Sequence, residues 1–187
     1  MPAHTRGRRL PITPNLLRRM HAVWSWGPWT FDKAMLWAAC CLGFFWFMQA
    51  GELTEQSPQQ NSEPTLSASD ISIDSREKPC VLIVHLRRSK TDPFGVGPYL
   101  HLGRTDDDIL CPVSAVLAYI AVRPPGPGPL FHFHDGSPLS RACLVQHVRQ
   151  ALSQAGVDTV HTTVTALGLV RPQLLLRLAS VTHSSKL

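Results

Sequence analysis

The chain has 187 residues, enough for one compact domain and too few for two full ones. Hydrophobic residues make up 44% and charged residues 17%, which supports a real core and excludes general disorder. Lys and Arg number 18 against 13 Asp and Glu, a net charge of +5. That surplus suits a polyanionic partner without requiring one. Neither the 16 prolines nor the 12 glycines fall into a repeat or a low-complexity period. Five cysteines, odd in number and lacking a Cys-x-x-Cys pair, argue against a disulfide scaffold and a zinc finger and for a reducing compartment. The opening residues are rich in arginine and proline and contain no apolar stretch of the kind a signal peptide needs.

Thr13-Pro14 predicts a helix start, with a hydroxyl cap and proline in the first turn. Leu16, Leu17, Met20, Val23 and Trp24 then recur at helical spacing, with Arg18 and Arg19 facing outward. Gly27-Pro28 ends that helix, and Thr30 caps a second that stops near Gln49–Gly51. This second segment contains the uncharged run Ala34–Gly51, at the lower edge of the ~17–25 residues that span a bilayer. Two readings compete for it: a single membrane span, and a central helix buried on all sides of a globular domain. The second is preferred, because no other segment calls for a membrane.

Glu55–Ser69 reads as a polar surface loop. Three strands are predicted next, over Asp70–Asp74, Cys80–Leu86 and Pro98–Leu102, paired as a three-stranded antiparallel sheet. The turn between the last two, Ser89–Gly95, follows Arg87 and Arg88 and holds Lys90, which makes it a basic hairpin tip. Cys111-Pro112 starts a third helix with Val113, Val116, Leu117 and Ile120 on one face, broken by Arg123–Pro129. Leu130–Gly136 is a strand-and-turn pattern. Ser140 caps a fourth helix whose stripe is Leu144, Val145, Val148 and Leu152, closed by Gly156. The layout is α+β, mostly helical, with helices gathered against one small sheet.

Six segments in this order resemble the catalytic domain of the tyrosine recombinase/integrase superfamily. They are RRLPITPNLLRRM (8–20), LGFFWFMQAGELT (42–54), LRRSKTDPFGVG (86–97), LCPVSAVLAYIAVR (110–123), GPLFHFHDGSPLS (128–140) and VRQALSQAGVD (148–158). The resemblance is nearest to the mobile-element-derived Crypton- and DIRS-type group and covers residues 8–158. Residues 1–7 then form a basic leader and 159–187 a divergent tail. What the resemblance implies is DNA cleavage and rejoining through a phosphotyrosyl intermediate, without metal or cofactor. Arginines and a histidine stabilise the phosphoryl charge, and a hairpin lysine protonates the leaving oxygen. DNA as partner, held mainly by its phosphate backbone, and an intracellular, nuclear place of action follow from the same resemblance.

Carried over residue by residue, the hairpin lysine falls on Lys90, and Arg87, Arg88 and Arg104 become candidate DNA contacts. The family's first arginine falls on Gln49, whose neutral amide supplies neither the charge nor the fork of guanidinium. Trp46 stands where the family usually has glycine. The His-x-x-Arg motif and the nucleophilic tyrosine expected after Asp158 are missing. The two tyrosines, Tyr99 and Tyr119, both read as core residues. The expectation is therefore a truncated pseudoenzyme that binds DNA without cutting it.

The tail itself carries a second signal. Back-translated one base out of frame, with third bases chosen among those permitted, Val164–Leu169 yields His-Ser-Phe-Arg-Ile-Gly. The next codons yield Ala-Ala-Thr-Thr-Ala-Ala, similar to the segment that the family places there. A shifted reading frame after Asp158 is the expectation, and the coding nucleotide sequence decides it.

Other constellations carry less. His132-x-His134 share a strand face, but no further ligand at strand spacing joins them for a metal. Asp106-Asp107-Asp108 reads as a solvated turn and not as a cation site. Arg6, Arg8, Arg9, Arg18 and Arg19, with Arg87, Arg88, Lys90, Arg104 and Arg149, offer a phosphate-tracking surface. Two rival functions stand beside the leading one: a domesticated, non-catalytic DNA- or protein-binding module, and a single-span membrane protein using residues 34–51.

Overall fold

The computed structural model describes residues 12–46, 53–54, 66–86 and 97–158. Among these there are four α-helices and a three-stranded antiparallel sheet, the α+β layout expected from the sequence. Helix α1 spans Pro14–Trp24, α2 Phe31–Phe45, α3 Pro112–Val122 and α4 Arg141–Gln154. Strands β1 (Ile71–Ile73), β2 (Val81–His85) and β3 (Tyr99–Gly103) lie in that order across the sheet.

Each helix begins where a capping side chain takes up an orphan backbone N–H. Thr13 Oγ1 accepts from Leu16 N at 3.3 Å, Thr30 Oγ1 from Lys33 N at 3.3 Å and Ser140 Oγ from Cys143 N at 3.2 Å. At α3 the cap is the Cys111 thiol, whose Sγ accepts from Ser114 N at 3.5 Å. Helix α4 ends in a Schellman motif. Val157 N–H reaches Leu152 O and Gly156 N–H reaches Ser153 O, both at 2.9 Å, with Gly156 at φ +72° where a Cβ would be strained.

Helix α2 is the centre of the core. Every residue from Ala34 to Phe44 is buried, so its lack of an amphipathic stripe reflects enclosure by its own chain. Its most extensive partner is α3, while α1 packs mainly against α4. Burial pushes the Cys40 thiol up to about 12, so that side chain behaves as a small hydrophobe. The helix closes at Phe45, with Trp46 leaving helical geometry at φ −98° and ψ 1°. The stop expected near Gln49–Gly51 lies outside the described residues. Among the described residues no helix is long and apolar enough to cross a membrane.

The sheet pairs Ile71 with Val84 and Ile73 with Leu82, then Leu82 with Leu102, Val84 with Leu100 and His85 with Tyr99. Alternation sends Leu82, Val84 and Leu102 into the core. The opposite face carries Val81, Ile83, His85, Tyr99 and His101. Before β1, Ala68–Asp70 forms a 3-10 turn, where strand pairing was expected to begin at Asp70. The buried Asp70 carboxylate accepts from Ser67 N at 2.8 Å and from Ser67 Oγ at 2.9 Å, and that capping box holds the residue out of the strand. Leu130–Gly136 is not a sheet strand either. It makes one isolated bridge, His132 with Pro138, and the residue before it, Pro129, makes another with Ser67.

At the α1–α2 corner the His21 ring lies 5.3 Å from Trp29 and 4.8 Å from Trp37, centroid to centroid. Burial holds its pKa below the ordinary value. The unfolded chain then binds this proton more readily than the folded one. The resulting stability is complete above ~6.5, the unfolded value, and is lost as pH falls toward the lowered folded value. Urea midpoints are expected to drop between pH 7 and 5, and His21→Gln is expected to flatten that dependence.

Candidate nucleic-acid interface

The β2–β3 ladder runs in register to the His85–Tyr99 pair and continues one step further, with Leu86 N–H donating to Pro98 O at 3.0 Å. The two strand ends are thereby held together, and the segment that joins them contains Arg87, Arg88 and Lys90. Those three residues, like Gln49, lie outside the described residues. So do Arg6, Arg8 and Arg9 and the whole tail from Thr159. The described part of the interface is therefore the base of the hairpin.

Arg104 follows β3 at the other end of the sheet. Its Nε donates to Pro79 O at 2.6 Å and its Nη1 to Ser114 Oγ at 2.7 Å. The fork ties the β1–β2 connection to the first turn of α3, so a phosphate contact by Arg104 would compete with two internal bonds. Three other arginines are engaged in the same way. Arg18 pairs with Asp107, with Nη2 to Oδ2 at 2.5 Å. Arg19 donates through Nη2 to Ala155 O at the C-terminus of α4, where the helix dipole favours a cation. Arg123 reaches Leu130 O at 3.1 Å, Pro129 O at 3.0 Å and Pro124 O at 3.0 Å, clamping the Pro-Gly segment that follows α3. These guanidinium groups organise backbone and do not converge on one point, as phosphoryl-transfer catalysis would require.

The acidic run also acquires a role that its sequence did not show. Besides Arg18, Asp107 accepts from the backbone N–H groups of Ile109 and Leu110, at 3.0 and 3.1 Å. The Leu110 N–H foremost, then the Arg18 guanidinium, hold this carboxyl below the usual range. Asp107 thus builds the turn into α3 and links it to α1, correcting its reading as merely solvated. His132 Nδ1 lies 2.9 Å from Phe133 O, and His134 N–H donates to Asp32 Oδ1 at 2.8 Å. Among the described residues no three His, Cys, Asp or Glu side chains are grouped to hold a metal ion.

The two phenols part company. Tyr119 is fully buried, as expected, and its hydroxyl donates to Leu130 O at 2.9 Å. Burial raises its pKa, which opposes formation of a phenolate nucleophile. Tyr99 is 61% exposed, and the expectation of a core position for it is corrected. Leu100 and Leu102 occupy the inward register, and strand alternation leaves Tyr99 outside. Its ring lies flat on that of His85, with centroids 4.5 Å apart and planes at 12°. That stack was missed in the sequence, although the alternation Tyr99-Leu100-His101-Leu102 already contained the signal.

Comparison with protein-family models, with curated proteins and with solved structures finds no match.

Proposed function

We propose that this chain is a DNA-binding, non-cleaving relative of the tyrosine recombinase/integrase catalytic domain, acting on nuclear DNA through phosphate contacts. The observation that carries the reading is the β2–β3 hairpin. Its strands are in register to their last pair, and the segment between them holds Arg87, Arg88 and Lys90. A basic connecting segment on a +5 chain suits the backbone of a polyanion, whose binding is driven by counterion release. The order of helices, sheet and helices also fits the order of the six segments that carry the resemblance.

Loss of cleavage follows from the residues available. Gln49 replaces a guanidinium, and Tyr119 is locked to a carbonyl inside the core. Arg18, Arg19, Arg104 and Arg123 hold the fold together. Among the described residues no cationic cluster converges to give negative charge developing on a phosphoryl group fixed donors. Binding to duplex DNA, followed by anisotropy across a salt series, tests the proposal. Affinity is expected to fall linearly with salt on a double-logarithmic plot. A salt-independent affinity, or none at low salt, would contradict it.

A further inference from the structure

We propose that the outer face of the sheet is a stacking site for an unpaired base of single-stranded nucleic acid, with Tyr99 as its platform. The inference rests on the DNA-binding reading above and narrows it to one surface and one kind of contact. Core packing does not account for this residue. Leu82, Val84 and Leu102 fill the inner face, whereas Tyr99 stands 61% exposed on the other side. Among the described residues no hydrogen bond holds its hydroxyl.

The ring is nevertheless held in place. Cross-strand pairing sets Tyr99 opposite His85, and the two rings stack with their planes 12° apart. One face of the phenol thus meets an imidazole, and the side chain as a whole remains largely exposed. A side chain with two rotatable bonds, mounted on a paired strand and backed by another ring, loses little freedom when something stacks on it. His101 lies two residues further along the same face, with Ile83 as its cross-strand partner. Rings and branched aliphatics thus line this face of β2 and β3.

Charge selects the occupant. On the β1–β2 connection Asp74 accepts from Cys80 N and Val81 N at 2.9 and 3.0 Å, which ties its carboxylate to the backbone without removing its charge. The chain carries +5 overall, and the sequence joining β2 to β3 adds three cations against Asp92. A stacked aromatic pair on a chain of net charge +5 matches a base with its attached phosphates. Stacking needs an exposed base face, which a duplex interior withholds and a single strand presents.

The test uses the full chain and two labelled probes of equal length, an oligothymidylate and a blunt duplex, at low salt. Tyr99→Ala is expected to weaken oligothymidylate binding roughly five- to a hundredfold. Tyr99→Phe is expected to bind as the unchanged chain does, and duplex affinity is expected to stay the same in both variants. Unchanged oligothymidylate affinity in Tyr99→Ala would overturn the stacking site and leave the phosphate-binding reading standing. An equal loss on both probes would also overturn it, since the residue would then be supporting the fold or a shared phosphate contact. If the unchanged chain binds neither probe, both readings fall together.

Discussion

Tyr119→Ala is expected to destabilise the fold by about 3–5 kcal/mol, against a total of ~5–15 kcal/mol for a domain of ordinary stability. The side chain is fully buried on α3, 5.5 Å from the Phe31 ring and 5.8 Å from the Phe131 ring, centroid to centroid. Truncation opens a cavity between α2, α3 and the segment after α3, where backbone ties leave little room for collapse. Tyr119→Phe is expected to cost only about 1 kcal/mol, because Leu130 O keeps the Arg123 Nε donor. Tyr99→Ala, on the exposed face, is expected to stay within ~0.5 kcal/mol. Urea unfolding of the three variants measures the contrast. It matters for function because a phenol that supports the core in this way is not available to attack phosphate.

Simultaneous replacement of Arg87, Arg88 and Lys90 by alanine is expected to have the largest effect on DNA. Each cation that neutralises one phosphate contributes about one unit to the salt slope of binding. The triple variant is expected to lower that slope by up to ~3 and to weaken affinity at low salt by on the order of tenfold or more. Fold stability should be unchanged, because the three residues lie beyond the last ladder pair, His85 with Tyr99. Arg104→Ala provides the contrast. Its guanidinium holds Pro79 and Ser114, so its loss is expected to appear in the urea midpoint before it appears in the salt slope.

Much of the fold was legible because its signals are local. Thr13, Thr30, Cys111 and Ser140 cap the helices that their positions announced, and Gly156 closes α4 in the conformation that glycine favours. An apolar run in Cys80–Leu86 and alternation in Pro98–Leu102 identified the paired strands, which settle at Val81–His85 and Tyr99–Gly103. Contacts between distant residues were not legible. Arg18 meets Asp107 across 89 positions and Arg19 meets Ala155 across 136, and neither pairing leaves a periodic trace. Arg123 read as the edge of a helix breaker, whereas its fork gathers three carbonyls from the loop that follows. The same limit applies to the candidate site. Sequence supplied a roster of cations, and only packing determines which of them support backbone, as Arg104 does. Tyr99 is the opposite case, a residue whose outward position the strand pattern implied and the assumption of a core aromatic overrode.

The central claim is that this chain grips the phosphate backbone and cannot break it, and one gel experiment addresses both halves. A labelled duplex, nicked so that any strand cleavage traps its product, is incubated with the full chain and divided between native and denaturing electrophoresis. The account predicts a salt-sensitive shift on the native gel and free DNA on the denaturing one. A detergent-resistant protein–DNA adduct, or no shift at low salt, would contradict it.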